Sequence, residues 1–160
     1  MDRSSHGRRD RLVKERIHDT YQVRAKLPEP TVCPECGVVY QKGRWTWKEA
    51  PEGANKAICP ACRRIADQYP AGHIEIKGDF FADHRIEIIN LMRNMEDKEK
   101  ENHPMERIMA IEEQSDGALV TTTGIHLARG ISTALSNAYC GDTSIVYLDA
   151  DNIVKVNWTR

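Results

Sequence analysis

The reading of this chain turns on residues 31–45, TVCPECGVVYQKGRW, and on their counterpart at 57–72, AICPACRRIADQYPAG. Each holds a Cys-Pro-x-Cys pair, and twenty-two residues separate Cys36 from Cys59. A two-residue gap lets both sulfurs of a pair turn toward one point, and Pro34 and Pro60 pre-set the turn. Gly37, directly after Cys36, permits the tight backbone of a metal knuckle; Arg63 holds the equivalent place in the second pair, which is the less typical half. Zinc takes four thiolates tetrahedrally at about 2.3 Å, and the interval is slightly longer than the usual zinc-ribbon spacing of about 15–20 residues. The expectation is one structural Zn²⁺ held by Cys33, Cys36, Cys59 and Cys62. Four sulfurs complete the shell and leave no position for a reactive water. Two other readings stay open: a thioredoxin-type dithiol at Cys-Pro-Ala-Cys, which would leave Cys33 and Cys36 without a task, and inert thiols. Cys140 stands alone at a helix end and reads as a small buried residue.

Around these pairs the chain divides into three. Residues 1–30 read as a basic flexible tail, with LPEP at 27–30 an extended linker. Residues 31–70 form the four-cysteine zinc module, with short strands around Gln41-Lys42-Gly43, a polar loop through EAPEGANKA, and a short helix in RRIADQY. Residues 71–160 alternate apolar and polar positions in HIEIKGDFF (73–81), with Gly78 as a bulge candidate and Phe80 and Phe81 at the strand end. A helix over 82–101 would bury Ile86, Ile89, Met92 and Met95, with Ile88 and Leu91 widening the face. Strands 106–113 and 118–123 flank Ser115-Asp116-Gly117, and Asp-Gly between such runs signals a hairpin. Thr123 would cap a helix over 125–140 that buries Ala128, Ile131, Leu135 and Ala138 and stops at Gly141. Strands 143–148 and 152–158 close the chain around a turn at Asp149–Asp151. The expected fold is α+β: a zinc ribbon with four cysteine ligands, followed by a ferredoxin-like split βαβ domain, β-α-β-β-α-β with an extra C-terminal strand.

The net charge of −1 conceals an asymmetry. Residues 1–30 carry eight Lys/Arg against five Asp/Glu, residues 31–70 six against four, and residues 71–160 nine against fifteen. Four zinc-bound thiolates would neutralise the middle segment and leave the basic character mainly in the tail. A polyanion would therefore meet the front of the chain. No apolar run approaches the ~18 residues of a membrane span, and the first residues lack the apolar core of a targeting signal. The chain reads as cytoplasmic, where close cysteines bind metal or do redox chemistry more often than they form disulfides.

The sequence shows no Gly-rich phosphate loop, GxSxG elbow or HExxH, so a non-enzymatic protein without a small-molecule substrate is expected. His73, His84 and His103 are scattered, and EDKEKE at 96–101 reads as a solvated helix face. His126 and Arg129 sit one turn apart at the start of the 125–140 helix. They would meet a phosphate there, or simply belong to a capped helix with an exposed His. Trp45 and Trp47 flank Thr46 and share a face, either packing over the metal or stacking on a base.

The CPECG and CPAC knuckles, the α+β segment after them and the passage EEQSDGALVTTTGIHLARGISTAL resemble the N-terminal region of the large-ribosomal-subunit export adaptors, the nonsense-mediated-decay-protein-three family, and its short stand-alone bacterial relatives. The likeness spans about residues 31–140, and its most distinctive part runs from Asp116-Gly117 to His126 and Arg129. It implies zinc ligation by the four cysteines and docking on the large ribosomal subunit or its RNA. Because the eukaryotic adaptors carry more Cys-x-x-Cys pairs and transport signals, docking in translation regulation or stress response is expected instead of nuclear export. The expected RNA contacts are Arg8, Arg9, Arg11, Lys14 and Arg16 in the tail, Lys42, Arg44, Trp45, Arg63 and Arg64 in the zinc module, and His126 and Arg129 beyond it. Two alternatives are a protein partner on the acidic α+β domain with purely structural zinc, and a dithiol oxidoreductase.

Overall fold

A computed structural model describes residues 27–148 and 152–160. The first β-ladder is small. Strands β1 (Thr31–Val32), β2 (Val39–Gln41), β3 (Arg44–Thr46) and β4 (Asn55–Lys56) form a sheet in the order β3-β2-β1-β4. Lys42 and Gly43 both take left-handed φ angles, 55° and 78°, as a two-residue hairpin matched to strand twist demands. The polar interval expected as loop contributes β4, which pairs in parallel with β1 at Thr31↔Asn55. Helix α1 (Pro60–Asp67) follows with Cys59 as its N-cap and Pro60 in its first turn. Gln68, in the left-handed region at φ 52°, ends it ahead of Pro70 and Gly72.

The second sheet has five strands in the order β6-β7-β5-β9-β8: β5 (Gly72–Lys77), β6 (Ile108–Gln114), β7 (Gly117–Thr122), β8 (Asp142–Leu148) and β9 (Ile153–Thr159). Helices α2 (Asp79–Asp83) and α3 (Arg85–Asn102) join β5 to β6, and α4 (Ile125–Tyr139) joins β7 to β8. The last strand, β9, lies inside the sheet. It runs parallel to β5, at Ile74↔Val156, and antiparallel to β8, at Ile145↔Val156. Alternation decides what these strands bury. Ile74 and Ile76, Val120, and Val154, Val156 and Trp158 point to one side, where they meet Leu127, Ile131 and Leu135 of α4 and Ile88 and Met92 of α3. Each such side chain contributes roughly 1.5–3 kcal/mol by leaving water.

Several local expectations change. The first strand stops at Lys77; Phe80 and Phe81 lie in α2, where Phe81 is buried and Phe80 stacks on His84 with ring centroids 4.0 Å apart. On α3 the buried positions are Ile88 and Met92, whereas Ile86 is 66 % exposed. Two residues along a helix turn a side chain by about 200°, so Ile86 and Ile88 cannot share a core face. On α4, Leu127 and Ser132 join the buried side, while Ala138 is exposed in the last turn. Cys140 is exposed, because it sits past the end of α4 at φ 58° and turns away from the core. The Asp149–Asp151 turn and the tail residues Arg8, Arg9, Arg11, Lys14 and Arg16 lie outside the described residues.

Candidate metal centre and the cleft beside it

Two different turns bring the cysteines together. In the first knuckle, Gly37 donates its N–H to the Cys33 carbonyl at 2.8 Å and adopts φ +83°, a conformation that favours glycine. In the second, the chain enters α1: Arg63 N–H donates to the Cys59 carbonyl at 3.0 Å, a helical bond, so no glycine is required after Cys62. The Sγ atoms of Cys33, Cys36, Cys59 and Cys62 lie within 4.8 Å of one another, and none forms a disulfide. The Cys36 and Cys59 sulfurs are 3.8 Å apart. That is the edge of a tetrahedron with metal–sulfur bonds of about 2.3 Å, and far beyond the roughly 2.05 Å of a disulfide. The backbone N–H of Cys59 donates to Cys33 Sγ, and that of Cys62 to Cys59 Sγ, both at 3.3 Å. Val38 and Ala61 are buried around the sulfurs, with Trp45 packed against them.

These sulfurs sit in conflicting electrostatic surroundings. Burial raises the Cys33 thiol, but N–H donors from Cys59, Cys36 and Glu35 outweigh it and bring its pKa down to about 7. Burial pushes Cys59 and Cys62 upward instead. A cation bound among all four stabilises the thiolate form at every position. By geometry and by donor chemistry the four sulfurs could together hold one metal ion.

Arg107, which pattern reading placed anonymously in a strand, belongs to this site. It is 7 % exposed. Its Nη2 donates to Cys36 Sγ at 3.2 Å and reaches Cys59 Sγ at 3.8 Å, while Nη1 donates to Cys62 Sγ at 3.3 Å. Nε donates to the Pro104 carbonyl at 2.9 Å, and the guanidinium lies 5.5 Å from the Trp47 ring centre. Burial works against its charge, but the sulfurs beside it hold the guanidinium protonated. The backbone is fixed from the other side: Arg107 N–H donates to Thr123 Oγ1 at 2.9 Å, and Thr123 N–H to the Arg107 carbonyl at 2.8 Å. Thr123 is thus engaged with this loop and does not cap α4; the N-cap is Gly124.

The neighbouring Glu106 serves that helix instead. Its Oε2 accepts from Leu127 N–H at 3.1 Å. A β-carbon on Gly124 would fall 1.9 Å from the same oxygen, so only glycine admits the carboxylate there. Burial raises the Glu106 pKa, against the lowering effect of the Leu127 N–H. One dipeptide thereby grips two things: Arg107 the sulfurs, Glu106 the start of α4.

A cleft of about 1110 Å³ opens beside the metal centre. Its walls bring together Arg44 and Trp45 of the hairpin, Arg64 of α1, and His126 and Arg129 of α4, five of the expected contact residues; Lys42 and Arg63 do not line it. Arg44, His126 and Arg129 are exposed. Arg64 is buried, and its Nη1 donates to the Tyr69 carbonyl at 3.0 Å, so it braces the end of α1 and is not a free surface cation. Trp45 is half-buried, 5.2 Å from the Tyr40 ring, and Trp47 donates Nε1–H to the Lys100 carbonyl at 2.7 Å. Trp45 packs against the cysteine cluster, whereas Trp47 keeps 39 % of its surface exposed. No protein-family model, curated protein or solved structure matches the chain. Among the described residues, no helix is long and apolar enough to cross a membrane.

Proposed function

We propose that the chain is a zinc-stabilised RNA-binding protein that docks on the large ribosomal subunit or its RNA, as a regulatory or stress-related factor without catalytic activity. The carrying observation is the cleft: Arg44, His126 and Arg129, from segments more than eighty residues apart, meet on its wall beside a four-cysteine centre. Three imidazole or guanidinium groups on the wall of a concave surface suit a phosphate backbone, and the basic N-terminal residues add long-range attraction. The metal is read as Zn²⁺, for which four thiolates at tetrahedral spacing are the preferred shell, and its role as structural. The likeness to the export-adaptor family supports the ribosomal target. The 3.8 Å spacing across the two knuckles supports metal ligation over dithiol exchange. The α/β part is read as a variant of the split βαβ plan, in which β9 is inserted between the first strand and the strand that would otherwise pair with it.

The test is sedimentation of the zinc-loaded chain with separated ribosomal subunits across a salt series. Co-sedimentation with the large subunit that fades steeply as salt rises is expected. A chain that stays at the top of every gradient at low salt would refute the proposal. Replacing Arg44 and Arg129 together should weaken binding and flatten its salt dependence.

A further inference from the structure

The two edges of the five-stranded sheet are treated differently. Strand β6 is blunted in the usual ways: its register breaks between Ile108 and Ala110, and Glu112 and Glu113 are exposed along it, Glu113 paired with Arg85. Strand β8 keeps an unbroken register and carries a single charge, Asp142, at its start. All seven of its residues are exposed, and it has no neighbour on its outer side among the described residues. Ile145, Val146, Tyr147 and Leu148 are between 38 % and 51 % exposed. Thr143 through Leu148 contain no charge and no proline. The cross-strand pairs Ile145↔Val156 and Tyr147↔Val154 put Ile145 and Tyr147 on the core side of the sheet, where they extend it past the cover of α4; Val146 and Leu148 face the other way.

We propose that β8 is a self-association edge, and that two copies of this chain pair β8 to β8, antiparallel, into a continuous ten-stranded sheet. An antiparallel two-fold at Ile145 sets Thr143 against Tyr147 and Ser144 against Val146, each pair on a common face, so the strand is complementary to itself. Its one charge, Asp142, falls opposite Leu148 and meets no like charge within the strand. The absence of a cation along β8 makes it unsuited to a nucleic acid, and its neutrality suits a neutral strand of identical shape. A seven-residue strand laid against its copy buries on the order of 800 Å², below the roughly 1,200–2,000 Å² of stable interfaces, so the pairing is weak and reversible.

Sedimentation velocity of the full zinc-loaded chain, from low to several hundred micromolar, tests this without reference to RNA. Mass should rise from monomer to dimer over that range. Val146→Lys, at a site half-exposed and therefore tolerant of the change, should weaken dimerisation at least about tenfold by setting ammonium groups near one another across the two-fold. A monomer at every concentration would overturn the proposal, including the case where β8 is covered by another protein or by the chain's own first residues. A dimer that persists in Val146→Lys would overturn it equally.

Discussion

Arg107→Ala is the perturbation that best separates a metal centre with a built-in counter-cation from one that relies on its sulfurs alone. Four thiolates and a divalent metal carry a net charge of −2, which the guanidinium reduces to −1 in a place from which water is largely excluded. Hydrogen bonds to charged groups contribute about 1.5–3 kcal/mol each, but these two share one cation and the sulfurs also bind metal, so their values do not add. Groups that support metal ligands typically change affinity by about 10–100-fold, or roughly 1.4–2.8 kcal/mol. We expect zinc affinity to fall within that range and the zinc-loaded chain to lose about 3 kcal/mol of stability, because Pro104 and Trp47 lose the same partner. Arg107→Lys retains the charge but not the fork, and should fall between wild type and alanine. Competition with a chromophoric chelator gives the affinity, and denaturant unfolding of the loaded protein the stability. An alanine variant within twofold of wild type in affinity would refute the assignment of Arg107 to the centre.

Gly124→Ala should displace the Glu106 carboxylate from Leu127 and cost about 1–2 kcal/mol, read as a lower denaturant midpoint at unchanged slope. Glu106→Gln keeps an acceptor while removing the charge. Because the folded pKa of Glu106 is raised above its ordinary 4.5, wild type is stabilised by this group at low pH and loses that contribution as pH rises through the raised value. The glutamine variant should therefore be the more stable one at pH 7 and lose that advantage near pH 4; equal pH profiles would refute it. Thiol titration of the zinc-loaded chain should find one fast cysteine, the exposed Cys140, and chelation should release the other four; rapid modification of all five while zinc remains bound would contradict the four-thiolate site.

The cysteine cluster was legible because its chemistry is local: two Cys-Pro-x-Cys pairs state their own geometry. The helices and strands of residues 71–160 were legible for a related reason, since periodicity records which face is buried. What the pattern could not supply was partnership. Arg107 looks like any charged residue at the start of a strand, and only the fold sets it 3.2–3.3 Å from sulfurs contributed by residues 45 and 71 positions away. Thr123 has the chemistry of a cap, yet the loop from α3 claims its hydroxyl and Glu106 takes over the helix end. Arg64 looked like a phosphate contact for the same reason: charge is visible in a sequence, while burial against Tyr69 is not.

The place of β9 also decides when the chain can fold. Its parallel pairing with β5 joins Gly72 to Val154, about eighty positions apart, and among the described residues β8 joins the sheet through β9 alone. During synthesis β5, β6 and β7 can associate early, but β8 has no sheet to join until Thr159 has left the ribosome. Closing so long a loop is entropically costly and tends to be slow. The newly made chain thus passes through a stage with the bare edge of β5 and the apolar run of β8 both unpaired, and its vulnerability to aggregation should be greatest there, well before the finished sheet exists.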